Sequence, residues 1–418
     1  MDYRKLIMPA LLVVALGCSR ESATSDTMSR VNEAAQSTGQ AVRERFETSA
    51  PVGAPPNQEQ MERERFDTQW RDLQSFRAEQ AVRAQQPAPS APAAQNIQFR
   101  PAAGVTESFD GVDFAAIESL PVTVPITGDV RGPSVLRAQV LLDRANFSPG
   151  SIDGRWGKNS EIAVHWFQRE QGIPPTGTID EQTFRLLAGR ANGPALVQHT
   201  LTADDVSGPF TKIPEDVYEK EKLDCLCYET LTEKLGERFH VSPAMLARLN
   251  PGVDIDTLQA GAQILVPNVN PPRPENATKS VAKIVVSVKG NYLHAMDASG
   301  NMIRHSPTTV GSEYDPSPNE MLNITAIAHD PHFHYQPKLF AHVDDSEAEA
   351  HLQPGPNSPV GIVWMALSKP HFGIHGTSDP ESIGYASSAG CVRLPNWEAR
   401  DLARIADKGV TVEFVDTP

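Results

Sequence analysis

The chain has 418 residues, too many for one compact core, and only 39% of them are hydrophobic, so part of it is expected to fold and part is not. Its 35 prolines follow no three-residue glycine period, which excludes a collagen-like rod. With 37 basic against 52 acidic residues, net −15, the surface lacks the positive charge that a phosphate backbone requires, and nucleic acid is excluded as a main partner.

The chain begins with one continuous apolar run, Leu6 to Leu16, too short to span a bilayer. It follows Arg4 and Lys5 and closes on Ala15-Leu16-Gly17-Cys18, the order of a secretory signal, so export to the cell envelope is expected. Gly17-Cys18 is similar to the lipobox of bacterial lipoproteins. That implies cleavage after residue 17, lipidation of Cys18 and a membrane anchor in the periplasm, with Ser19 pointing to the outer membrane. Ala15 and Leu16 depart from the usual lipobox order, and a plain cleaved signal is the alternative.

A disordered tether is expected over 19–128, because residues 19–98 hold only nine Leu, Ile, Val or Phe. Within it the proline-free stretch 58–85 sets Phe66, Trp70 and Leu73 on one face of a marginal helix, and Pro87 to Pro101 is extended and Pro/Ala-rich. Residues 129–190 read as three short helices, from the apolar spacing of Leu136, Val140 and Leu141, then Ala163, Val164 and Phe167, then Phe184 and Leu187. The turns between them are Ser148-Pro149-Gly150 and Gly172-Ile173-Pro174. Ser151-Ile152-Asp153-Gly154-Arg155-Trp156-Gly157, with Ala163-Val164-His165-Trp166-Phe167-Gln168, resembles the helical peptidoglycan-binding module of wall enzymes. A generic helical spacer is the alternative.

After a linker at 191–213, residues 214–268 resemble a LysM module, a small sheet with two helices. Leu231, Leu235 and Phe239 share a helical face, Ser242 is placed to cap a second helix starting at Pro243, and Asn250-Pro251-Gly252 stops it. Leu258 to Pro267 matches the closing strand of such a module. The opening, Leu223 to Leu231, lacks the Gly-Asp step, so this unit is either a glycan binder or a degenerate spacer. Cys225 and Cys227 are too close in sequence for an easy bridge if they lie on a strand, and a half-buried pair is expected.

The last segment, 279–418, reads as mostly β. Strands are expected over 282–288, 292–296, 303–310, 323–328 and 410–415, and a late helix capped by Asn396 and stopped at Gly409. The fold class is thus multidomain α+β. Its chemistry sits in Gly373-Ile374-His375-Gly376-Thr377, then Ile383-Gly384, then Ser387-Ser388-Ala389-Gly390-Cys391-Val392-Arg393-Leu394. A thiol beside a histidine that can take its proton is a nucleophile, so Cys391 and His375 are the expected catalytic pair. The small residues before the thiol keep its approach open, and the amides of Ala389, Gly390 and Cys391 are candidates for an oxyanion hole.

This spaced motif resembles the L,D-transpeptidases that remodel bacterial peptidoglycan. Gly355-Pro356-Asn357-Ser358-Pro359-Val360-Gly361 with Trp364 is similar to their substrate-side loop. The resemblance implies attack of Cys391 on the third residue of a tetrapeptide stem, a thioester, and transfer to the amine of a neighbouring stem or of a wall-linked lipoprotein. Transfer to water would instead make an L,D-carboxypeptidase or hydrolase, and a non-catalytic wall-binding lipoprotein is the reading of another class. Gly376, Thr377, Trp364, Ser388, Ala389, Gly390 and Arg393 would line the site by the same resemblance. Ser388 is otherwise a turn residue, and Arg393 otherwise an ordinary ion pair. Ala389 stands where many members have histidine. His371 is expected in a strand or loop. His329, His332 and His334 carry no logic for a metal, and neither metal nor cofactor is expected.

Overall fold

A computed structural model describes residues 97–417, apart from 192, 312–315, 340–342 and 345. The leader, Cys18 and the helix expected over 58–85 lie outside the described residues. The tether boundary at 128 is corrected, because residues 97–128 already carry structure. Strand β1 (Phe99–Pro101) pairs in parallel with β2 (Val122–Val124), and a 3₁₀ turn, Phe114–Ser119, lies between them. Phe109, Phe114, Ile117, Val122, Val124 and Ile126 are buried among the helices that follow.

Helices α1 (Pro133–Arg144), α2 (Lys158–Glu170) and α3 (Glu181–Arg190) agree with the expected three. Gly132 precedes α1 and has no side chain with which to cap it. Glu107 does so from the upstream segment, accepting from the Ser134 backbone N–H at 2.9 Å and the Ser134 hydroxyl at 2.7 Å. A carboxylate at that end meets unpaired N–H groups and the positive end of the helix dipole, a contact worth about 1 kcal/mol. The helical module therefore needs residues upstream of the boundary its own periodicity suggests.

The next unit opens earlier than expected. Strand β3 (Leu196–Thr200), inside the stretch assigned to a linker, pairs antiparallel with β4 (Gln263–Pro267). Between them lie a short helix α4 (Val217–Lys220), α5 (Leu231–Arg238) and α6 (Pro243–Leu249), the last capped by Ser242 Oγ on the Met245 N–H. Cys225 and Cys227 are joined by a disulfide, contrary to the expectation of an unbridged pair. They lie in an irregular turn, not on a strand. Leu226 between them is buried, and its backbone is held by Pro354 O and the Asn357 N–H, which bends the chain until the Cα atoms are 5.2 Å apart.

The C-terminal segment forms strands β5 (Lys283–Ser287), β6 (Tyr292–Met296), β7 (Met302–Pro307), β8 (Met321–His329), β9 (Phe333–Tyr335), β10 (Ala350–Leu352), β11 (Val363–Leu367), β12 (Gly373–His375), β13 (Val392–Arg393) and β14 (Thr411–Val415). Eight of them make one mixed sheet in the order β13-β12-β11-β8-β14-β5-β6-β7. It curls until its ends meet, Thr309 just past β7 exchanging both backbone hydrogen bonds with Arg393 of β13. Helix α7 (Asn396–Ile405) fills the curl with Ala399, Leu402 and Ile405 against Val286, Ile324 and Met365. It ends at Ile405, four residues before the expected stop, and Gly409 with φ +94° makes the turn into β14. Asn396 makes no cap bond to its own helix; Pro395 holds the cap position.

Candidate active site

The site lies where β12 and β13 run in parallel, with His375 opposite Arg393 and Ile374 opposite Val392. Cys391 precedes β13 directly, so this pairing brings thiol, imidazole and guanidinium to one end of the curled sheet. The thiol donates to the His371 carbonyl at 3.5 Å, and the Gly373 backbone N–H is a donor to the sulfur. His371 is an exposed loop residue in the left-handed region, φ 65°, and its backbone, not its ring, meets the thiol. Burial pushes the Cys391 thiol above its ordinary range, while the Gly373 N–H and the Arg393 charge pull it back.

His375 is buried. Its Nδ1 donates to the Gly376 carbonyl at 2.7 Å, since a carbonyl can only accept, and Nε2 is left with its lone pair. Burial first, and Arg393 second, push the imidazole down to about 3, against the favourable Gly376 carbonyl. Trp364, directly across β11 from His375, stacks on it with ring centroids 5.2 Å apart. The glycine at 373 is required there, because a Cβ would enter the Trp364 ring.

Ser388 is buried, and its hydroxyl donates to the Cys391 carbonyl at 2.6 Å. Gly390, φ +92°, has its carbonyl held by Ser317 Oγ at 3.0 Å, and a side chain would strike Phe372. Ala389 is half-buried beside the exposed Tyr385-Ala386-Ser387. Thr377 uses its hydroxyl to accept from the Asp379 N–H at 3.2 Å, and Gly376 N–H donates to Val363 O at 3.2 Å. Arg393 makes no ion pair within 4.0 Å among the described residues, and its charge acts on Cys391, His375 and Asp379. Among the described residues no group of three or more His, Cys, Asp or Glu is placed to hold a metal. His334 instead bonds Glu349 at 2.8 Å and stacks on His351.

The sequence marks Asn396 only as a helix cap. Its buried amide accepts from Thr377 N–H at 3.1 Å and Ile362 N–H at 3.3 Å, and donates to Pro356 O at 3.1 Å and Glu237 Oε1 at 2.8 Å. Three non-adjacent segments converge on it, a signal that one-dimensional spacing does not carry.

Residues 282–414 match the family model of the L,D-transpeptidase catalytic domain, and residues 131–187 match that of a peptidoglycan-binding domain. YkuD of Bacillus licheniformis, which carries the L,D-transpeptidase name, is 29% identical over 186 residues, 44% of this chain and 93% of its own. A protein of Fuscovulum blasticum, named as an L,D-transpeptidase encoded in the ATP synthase subunits region, is 30% identical over 132 residues, covering 32% of this chain and 68% of its own. Among solved structures, an L,D-transpeptidase from Mycobacterium smegmatis is 15% identical, with TM-score 0.27 over 38% of this chain and 74% of that one. The chain belongs to the L,D-transpeptidase family and carries a peptidoglycan-binding domain ahead of its catalytic domain.

Proposed function

We propose that the protein is an envelope L,D-transpeptidase that works through a Cys391 thioester on peptidoglycan tetrapeptide stems. The observation that carries this reading is the parallel β12–β13 pairing, which brings Cys391 and Arg393, 16 and 18 residues further along the sequence, to His375. As the donor binds, His375 Nε2 takes the thiol proton and Cys391 Sγ attacks the carbonyl carbon of the third stem residue. Amides of Ala389, Gly390 and Cys391 would receive the oxyanion. The C–N bond to the terminal D-alanine breaks, the proton passes from His375 to the leaving amine, and a thioester remains. An acceptor amine then attacks the thioester and gives a proton to His375, the new amide forms, and the thiol is regenerated. The acceptor is the side-chain amine of a neighbouring stem, making a 3→3 cross-link, or a lysine of a lipoprotein.

Transfer to water, an L,D-carboxypeptidase reaction, needs the same residues and is the second reading. The leader that ends just before Cys18 supports delivery to the periplasm with a lipid anchor, favouring the outer membrane. The antiparallel β3–β4 pair with α5 and α6 between its strands supports a LysM-like origin for the middle unit. Incubating the full chain with tetrapeptide muropeptides is expected to give D-alanine and 3→3 dimers by mass spectrometry. Cys391→Ala is expected to abolish both, and dimer formation surviving that change would overturn the assignment.

A further inference from the structure

One peptide unit links the catalytic histidine to a different module of the chain. The Gly376 carbonyl accepts from His375 Nδ1 at 2.7 Å, while the N–H of the same peptide, on Thr377, donates to Asn396 Oδ1 at 3.1 Å. A peptide plane held at both ends cannot rotate without losing both bonds. Its carbonyl keeps the ring proton on Nδ1 and so leaves Nε2 free to act as base. Donation from the N–H end also polarises the carbonyl, which strengthens its pull on the Nδ1 proton and makes the buried imidazole more basic. Gly361 and Gly376 make room for this arrangement, because a Cβ at either would collide with Asn396 Oδ1.

The direction in which Asn396 points decides whether this works. An amide turned end for end would offer N–H to N–H. Its Nδ2 is oriented by two acceptors, Pro356 O and Glu237 Oε1, and Glu237 belongs to α5 of the middle unit, outside the catalytic domain. Glu237 is buried and fixed in turn by the Tyr228 hydroxyl, which donates to Oε2 at 3.2 Å. Burial pushes its carboxyl up to about 8, against the pull of Asn396, Tyr228 and Arg400 and with the push of Glu233. An ion pair with a neighbouring base is not what keeps it there; its carboxyl oxygen as an acceptor is.

We infer that Glu237 is a positioning residue for His375, acting through Asn396 and the Gly376–Thr377 peptide, so that the middle unit completes the catalytic geometry. The inference rests on the reading that His375 is the base for Cys391. It is tested in the full chain with Glu237→Met, which keeps volume and removes the acceptor, Glu237→Ala as the alternative if Met does not fold, and Glu237→Gln, which keeps the acceptor. Two readouts are used: kcat and KM on tetrapeptide muropeptides, and the pH profile of Cys391 alkylation by iodoacetamide, which needs no peptidoglycan. The acceptor-less variant is expected to lose about 10- to 100-fold in kcat with KM nearly unchanged. Its alkylation at neutral pH should slow in parallel, and Glu237→Gln should restore both. Wild-type kcat and alkylation profile in a folded Glu237→Met or Glu237→Ala overturns the inference, as does an equal loss in Glu237→Gln. Wild-type protein whose alkylation responds to His375→Ala but which forms no muropeptide product sinks the transpeptidase reading alone. The alkylation profiles then decide the role of Glu237.

Discussion

Arg393 is the residue whose charge reaches both Cys391 and His375. It pulls the Cys391 thiol down and pushes the His375 imidazole down, so it favours thiolate and disfavours imidazolium. Burial is the larger effect on both, raising the thiol and lowering the imidazole, so the resting site is expected to hold a neutral thiol and a neutral imidazole, with proton transfer awaiting the donor. Arg393→Ala removes the thiol's nearest positive charge. Its iodoacetamide alkylation profile should move to higher pH, with a slower rate at neutral pH, measured by mass spectrometry of the labelled peptide. An unmoved profile would show that the guanidinium only closes the sheet. The motif string made Cys391, His375 and Arg393 legible in sequence because the residues that flank a nucleophile must be small and near one another. It could not show that Asn396, read as a helix cap, spends its side chain on Thr377, Ile362, Pro356 and Glu237 instead.

At the scale of elements, the strands and helices of the catalytic segment were legible where apolar alternation or 3.6-residue spacing is strong, as in β5, β6, β14 and α1 to α3. The elements that escaped are those stabilised from a distance. β3 hides in a linker-like stretch because its partner, β4, lies more than 60 residues on, and β1 pairs with β2 across an irregular segment. The turn at Gly376 offers a sharp test of an element held by a side chain. Gly376→Ala places a Cβ against Asn396 Oδ1, and Asn396 has four bonds that resist its movement. Destabilisation of about 1–3 kcal/mol is expected by urea unfolding, with a loss of transpeptidation larger than the change in folded fraction explains. Full activity with unchanged stability would mean that the turn relaxes freely.

On the scale of the whole molecule, the described modules interlock. Asn159 of the peptidoglycan-binding domain donates to Ile383 O at 2.8 Å, beside the catalytic loop, and Phe147 stacks on His305. His240 of the middle unit bonds Asp143 at 2.8 Å and lies flat on Trp397 of α7. The isolated segment 279–418 would expose Trp397 and His305, so its thermal unfolding is expected several degrees below that of 97–418, measured by circular dichroism. Equal midpoints would show that the modules contribute nothing to one another.

Buried titratable groups make the whole molecule pH-sensitive. His294 and His375 are held down to about 3, and His305 lies lower than its ordinary value through burial and its His294 neighbour. The unfolded chain takes up these protons near pH 6.5 and the folded chain does not, so stability falls as pH drops below about 6.5. Glu237 has the opposite sign: its folded carboxyl stays protonated up to about 8, so its contribution is present in acid and lost as pH rises through that value. The melting temperature is therefore expected to peak near pH 6.5 and to fall on both sides, more steeply in acid. A profile flat from pH 4 to 7 would contradict the burial of these imidazoles.

The sequence alone determined the spaced motif that carries His375 and Cys391, the three helices of the peptidoglycan-binding domain and the β character of the last segment, because each is written in short-range spacing or small-residue runs. Only the tertiary structure decided that Glu107 caps a helix 26 residues on, that Cys225 and Cys227 bridge around a buried Leu226, and that Glu237 reaches the catalytic turn. Those depend on which surfaces meet, and burial of a polar group has meaning only once its partner across the interface is in place.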